Sequence, residues 1–343
     1  MKLRHFIFAA MAFIACAACQ EKNITPDVPV QDQEVYTVQL GFGGEWDVTY
    51  EPLTRGNDNN DLYGIQVYSA PIDGNATWTP FAYGLFDDID NVTVSLLKGM
   101  KFKFVAKMYV DGKNEIYRYT SNGTYSKPFY VGTEVPVTNE FSYSSAVYFN
   151  EIDLGKAWQK DFSGRTDIYI HPSIESYYGV LEGYVPEESN NDKVKIHMKR
   201  TSFGAKFIAQ GKLATAGQLE INMTEAPVIL IDLANEKQHD DIYTFDNIKA
   251  AHDYKTGNYE EDIDVSINWY YQTEDGSTVT VPLGTHKITY KRNATTVVKI
   301  NLENTNIDGG IGFELTETGA MEVVSEYEVN DGNNVDTDID TNK

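Results

Sequence analysis

The chain has 343 residues, with 28 Lys and Arg against 51 Asp and Glu and a formal charge of −23 near neutral pH. A surface this acidic repels phosphate backbones and excludes nucleic acid as a natural partner. Hydrophobic residues make up 41%, including 23 Tyr and 16 Phe, and both cysteines fall within the first 19 positions, so packing without disulfides must hold the body together.

Lys2 and Arg4 precede a ten-residue apolar run, Phe6 to Ala15, which is too short to span a bilayer and reads as a cleaved export signal. Ala17-Ala18-Cys19 then resembles the lipobox of bacterial lipoproteins, in which the thiol receives a lipid and becomes the new N-terminus. That resemblance makes residues 1–19 the signal, Cys19 the lipidated residue and the outer membrane a partner through a lipid anchor. Phe13-Ile14-Ala15-Cys16 has a similar form, which makes Cys16 the alternative; an ordinary secretory signal with incidental cysteines is the plainer reading. Gln20-Glu21-Lys22 resembles the export stretch that places lipoproteins of Bacteroidetes on the outer face of the outer membrane. Residues 20–33 are polar, carry two prolines and show no apolar period, as expected of a tether.

From Glu34 alternation dominates, and the first block is taken as 34–189. Val35, Thr37 and Gln39 oppose Tyr36, Val38 and Leu40, and the same pattern recurs over Leu62 to Tyr68, Val92 to Leu96 and Phe102 to Tyr109. Asp111-Gly112 predicts a hairpin turn before Ile116, because both residues tolerate positive φ. A second block is taken as 190–330. Lys193 to Lys199 puts Val194, Ile196 and Met198 on one face, and further strands are expected over Ala205 to Ala209, Gln218 to Met223, Val228 to Ile231, Ile263 to Tyr271, Thr278 to Val281, Lys287 to Tyr290 and Thr296 to Leu302. One short helix is expected over Asp246 to Tyr254, with Asp246 as its cap. The fold class is therefore all-β, two sandwiches in tandem, followed by a disordered acidic tail at 331–343.

Catalytic chemistry finds little to build on. No zinc-protease, nucleophile-elbow or phosphate-loop motif occurs, and His171, His197, His239, His252 and His286 are scattered singly. His239-Asp240-Asp241 has metal-ligand chemistry but reads more simply as a polar loop. Asp336 to Asp340 has the alternate carboxylates that begin a calcium loop without its glycine or closing glutamate. No enzyme activity, metal or other cofactor is expected. Trp46, Trp78, Trp158 and Trp269, with Tyr177 and Tyr178, form either core or a sugar-stacking platform.

Three segments together resemble the fimbrillin-like proteins of Bacteroidetes, subunits of type V pili and related lipoproteins. They are Pro52-Leu53-Thr54-Arg55 after an early strand, Lys199-Arg200 with Ala205-Lys206, and Tyr290-Lys291-Arg292-Asn293 running into Val297 to Ile300. The resemblance implies two transthyretin-like sandwiches made as a lipidated precursor. It also implies cleavage after Arg55, loss of the Glu34 to Tyr50 region as an edge strand, and insertion of a neighbour's strand into the groove left behind. Gly56 stands where alanine is commoner in the family. The matching donor is the C-terminal segment, where Met321, Val323, Tyr327 and Val329 share one face of an extended chain; pairing within its own domain is the alternative. The function expected is adhesion, as a surface-exposed pilus subunit or anchor, with other pilus subunits or a host surface as partners. The alternative is a glycan-binding lipoprotein of a polysaccharide-uptake system.

Overall fold

The computed structural model describes residues 34–44, 60–73, 77–90, 92–119, 123–125, 127–129, 135–147, 155–187, 194–211, 217–254, 259–273 and 275–302, and the backbone of 313–320. The first half opens with β1 (Val35–Gly44), β2 (Leu62–Pro71), β3 (Thr79–Phe86), β4 (Thr93–Leu97) and β5 (Met100–Tyr109). A one-turn helix α1 (Gly112–Glu115) leads into the short strands β6 (Arg118–Tyr119), β7 (Thr124–Tyr125), β8 (Val135–Pro136) and β9 (Ser142–Tyr143). The strands β10 (Ala157–Lys160), β11 (Thr166–Tyr169), β12 (Ser176–Tyr184) and β13 (Val194–Arg200) complete it.

Eight of these strands form one sheet in the order β4-β1-β13-β12-β5-β2-β3-β9. Val94 and Leu96 from one end share a core with Ala82 and Phe86 from near the other, so the sheet folds over on itself. A single hydrogen bond marks the seam, where the Ser95 amide donates to the Tyr143 hydroxyl across 2.7 Å. The strands β6-β7-β8 and the hairpin β10-β11 lie outside this sheet. They cover its outer face with a second core built from Leu62, Leu85, Tyr109, Tyr125, Phe129 and Ile174. This explains β2 and β5, which are buried nearly throughout instead of at alternate positions. Both of their faces are covered, so the polar half of the alternation disappears.

The second half runs β14 (Ser202–Gln210), β15 (Gln218–Met223), β16 (Ile229–Asp232), β17 (Gln238–Thr244), α2 (Ile248–His252), β18 (Glu260–Gln272), β19 (Thr278–Lys291), β20 (Ala294–Asn301) and β21 (Phe313–Ala320). Two four-stranded sheets, β17-β14-β20-β21 and β16-β15-β18-β19, face each other as a sandwich. Phe203, Phe207 and Val298 from the first pack with Leu219, Val265 and Trp269 from the second. In β18 burial alternates as the sequence pattern demands.

Several expectations need correction. Val194–Arg200 hydrogen-bonds to β1 and β12, so the first sheet extends about ten residues past the boundary expected near 190, and only Thr201 separates β13 from β14. Asp111, at φ 51°, starts helix α1 in place of a hairpin. His239 to Asp241 lie within strand β17, and the cap of α2 is Asn247, whose side chain accepts from the Ala250 amide. Thr278 to Val281 and Lys287 to Tyr290 belong to one strand with a bulge at Leu283, between Pro282 and Gly284, whose φ is 99°. Proline is tolerated there because, among the described residues, β19 is an edge strand with no partner on its outer side.

Candidate functional site: the slot filled by the first strand

β1 is an internal strand, which corrects the expectation of an edge strand. Its first half pairs antiparallel with β4, from Val35 opposite Leu97 to Gln39 opposite Thr93. Its second half pairs parallel with β13, from Leu40 opposite Val194 to Gly44 opposite Met198. Among the described residues β1 is the one ladder partner of β4, so it ties that strand to the rest of the sheet.

The side chains follow the alternation read from the sequence. Val38 and Leu40 are 3% and 1% exposed in the core, with Tyr36 and Phe42 partly buried beside them, while Val35 is 53% exposed. Full burial of two such side chains is worth about 3–6 kcal/mol in area removed from water. The start of the strand is held by Lys98, whose amide donates to the Glu34 carbonyl at 2.9 Å and whose ammonium pairs with the Glu34 carboxylate. That contact lowers the Glu34 pKa below the ordinary carboxylate value. Taking β1 away would leave unpaired backbone groups along Thr93–Leu97 and Val194–Met198, with apolar pockets between them.

Cys16, Cys19, Arg55, Met321, Val323, Tyr327 and Val329 lie outside the described residues, as do Trp46 and Asp336 to Asp340. Among the described residues β21, which ends at Ala320, is the edge strand of its sheet. Three of the aromatic residues named for a sugar platform belong to the core instead. Trp269, Tyr177 and Tyr178 are core residues at 4%, 1% and 1% exposure, and Trp78 donates its indole N–H to Glu182 at 3.1 Å. His239 and Asp241 stand 3.9 Å apart on one face of β17 while Asp240 pairs with Lys206 on the other, and no group of three or more metal-ligating residues occurs among the described residues.

The motifs at Lys199-Arg200 and Arg292-Asn293 meet at the junction between the halves. Arg200 Nε donates to Glu175 Oε1 at 2.8 Å, Nη2 to the Tyr177 hydroxyl at 2.9 Å and Nη1 to Asn293 Oδ1 at 2.6 Å. Asn293, at φ 58°, turns the chain between the two sheets of the second half, and Arg292 Nη1 donates back to the Arg200 carbonyl at 3.1 Å. Both Lys199 and Arg292 lie over the Tyr254 ring, at 4.8 and 4.0 Å. Nearby, Gly155 packs so closely that a Cβ would stand 2.2 Å from the Phe245 carbonyl oxygen.

A second junction cluster was invisible in the sequence. His171 Nδ1–H donates to the Thr244 carbonyl at 3.2 Å, and its Nε2 stands 3.5 Å from Glu261 Oε1. Burial lowers the His171 pKa and, with the nearby Asp246 charge, raises that of Glu261 to about 7. Both groups are driven toward their neutral forms, so the contact is a neutral pair more than a salt bridge.

The class defined by the fold is an all-β chain whose first strand lies inside its first sheet, between β4 and β13. No family model matches the chain, and no curated protein matches it. It is similar to the solved structure of a chain named as an adhesin from Bacteroides ovatus, with 11% identity, a TM-score of 0.37 and coverage of 88% of this chain and 99% of that one. It is also similar to a chain from Bacteroides eggerthii named as a cell adhesion protein, with 11% identity, a TM-score of 0.35 and coverage of 84% and 93%. A third similar structure is the fimbrial anchor protein of Porphyromonas gingivalis, with 7% identity, a TM-score of 0.34 and coverage of 82% and 97%. These likenesses assign no residue of this chain a role. Among the described residues no helix is long and apolar enough to cross a membrane.

Proposed function

We propose that this chain is a surface-exposed lipoprotein of the outer membrane that works in adhesion as a pilus subunit or anchor, assembling by strand addition. Lipidation at Cys19, or at Cys16 as the alternative, tethers it. Cleavage after Arg55 frees β1, and the Met321 to Val329 segment of a neighbouring subunit takes its place.

The position of β1 carries this reading. A strand lying between two others leaves a slot with a pairing edge for each half of an incoming backbone, β4 where residues 35–39 now lie and β13 where residues 40–44 now lie. The slot accepts apolar side chains at every second position, where Tyr36, Val38, Leu40 and Phe42 now point. Met321, Val323, Tyr327 and Val329 repeat that spacing, with Ser325 between the two pairs. Arg55 falls between β1 and β2, where one cut would separate the strand from the body.

The test is a chain that begins at Gly56. It should form heat-resistant oligomers on a native gel, and Val323→Asp combined with Tyr327→Asp should abolish them, because a carboxylate in an apolar pocket costs several kcal/mol to desolvate. A truncated protein that stays folded and monomeric would overturn the proposal, as would oligomers indifferent to the double substitution.

A further inference from the structure

A cavity of about 230 Å³ opens between helix α1, the Ile116 to Arg118 stretch and strand β10. Its walls combine chemistry that the strand-addition reading does not use. Arg118 and Lys160 both line it, and among the described residues neither is in an ion pair; Lys160 Nζ stands 6.0 Å from the centroid of the Tyr117 ring. In a chain of charge −23, two cations at one concave site that make no ion pair among the described residues are unexpected. Lys113, also on the wall, is committed to Asp87 at 2.6 Å.

The rest of the lining is held in place. The Tyr117 amide donates to the Trp158 carbonyl at 2.7 Å, and its half-buried ring meets Tyr119 edge-on at 5.1 Å. Gln159 is buried and fixed by Ser173, accepting from its amide at 3.0 Å and donating to its carbonyl at 3.2 Å. Glu115 presents a carboxyl acceptor against Gln159 Nε2 at 3.5 Å. Burial first, then the Asp111 and Asp241 charges, raises the Glu115 pKa above the ordinary carboxylate value.

We propose that this cavity binds a sugar acid, a pyranose unit carrying a carboxylate. Arg118 would take the carboxylate in a forked pair with Lys160 beside it, Glu115 would accept from a ring hydroxyl, and the Tyr117 face would receive the partly positive C–H groups of the ring. The combination excludes simpler ligands. Sulfate would meet the Glu115 carboxyl with nothing to donate to it, phosphate would leave the Tyr117 face without a C–H surface to receive, and a neutral sugar would leave both cations unused. The cavity is below the roughly 300–1,000 Å³ of drug-sized pockets, which suits a single sugar unit. The acidic remainder of the chain opposes an anion only weakly at physiological salt, where the screening length is about 8 Å.

The site is separate from the β1 slot and needs neither cleavage nor assembly, so the uncut chain serves as the test material. D-glucuronate, D-galacturonate and N-acetylneuraminate would be titrated by saturation-transfer NMR, with glucose and inorganic phosphate as controls. At least one acid should bind in the millimolar range, with glucose about tenfold weaker and phosphate failing to displace the acid. Arg118→Ala and Lys160→Ala should each weaken binding about tenfold, and Arg165→Ala, on the neighbouring hairpin outside the cavity, should leave it unchanged. Circular dichroism would confirm that the variants, all at exposed positions, remain folded. Failure of all three acids to bind, glucose binding as well as they do, displacement by equimolar phosphate, or indifference to Arg118→Ala would each overturn the assignment. None of these results bears on whether the chain lacking residues 1–55 polymerises.

Discussion

Glu261 is a carboxyl whose chemistry is changed by the fold. Water is largely withdrawn from its carboxyl, Asp246 adds a like charge, and the Tyr259 hydroxyl at 3.5 Å is too weak a donor to compensate, so the group titrates at about 7 instead of the ordinary 4.5. The folded state therefore binds more protons than the unfolded state between about 4.5 and 7. The Glu261 contribution to stability is fully present below about 4.5 and is lost as pH rises through about 7. His171 acts in the opposite direction, because burial lowers its pKa and its contribution is lost as pH falls below the ordinary histidine value. Glu261→Gln should raise stability at pH 8 by on the order of 2 kcal/mol while changing it little at pH 4.5, as measured by urea denaturation. Equal effects at the two pH values would show that Glu261 is not held neutral. Nothing in the sequence pairs these residues, since 89 positions separate them and each looks like an ordinary surface group. The Lys199-Arg200 and Arg292-Asn293 motifs were legible as motifs, but their meeting through the Arg200 guanidinium was not, because that contact is made by the turn at Asn293.

Among the elements, legibility follows the number of faces a strand buries. β1, β13 and β18 present one face to a core, and their sequences alternate accordingly. β5 was legible through Phe102, Phe104, Ala106 and Met108, which face the main core, but the covering of its other face was not. That covering includes Ile248 of α2, which is fully buried against Val105 and Tyr178 although it belongs to the second half of the chain. Strand β17 was missed because His239, Asp240 and Asp241 lie on its more exposed stretch and are supported by pairing with β14 instead of by burial of their own side chains. A five-residue helix has little stability of its own, so α2 depends on its cap and on this docking. Ile248→Ala should therefore cost about 2–4 kcal/mol through the cavity it leaves, with Val105 and Tyr178 losing their cover. Denaturant titration would measure the loss, and a cost below about 1 kcal/mol would mean that α2 is not docked on the first sheet.

At the level of the whole molecule, the two halves share more than a linker. Backbone hydrogen bonds run from Thr244 to Pro172 and from Ile170 and His171 to Glu225, Thr201 alone separates β13 from β14, and the Arg200 cluster bridges the same seam. Interfaces this polar are ordinarily permissive of relative motion, but here backbone groups and a partly buried ion pair are satisfied across the boundary, so separation would leave them unpaired. Their unfolding is expected to be coupled. By differential scanning calorimetry the intact chain should unfold in one transition whose calorimetric and van't Hoff enthalpies agree. Arg200→Ala should destabilise it by about 3 kcal/mol, because Glu175 and Asn293 lose a shared donor and the Glu175 carboxylate is left partly buried without its cation. The same substitution should begin to separate the halves, seen as a broadened or split transition. Two resolved transitions in the unsubstituted chain would contradict this coupling, and a first sheet that melts alone would then be free to exchange β1 without strain on the second sandwich.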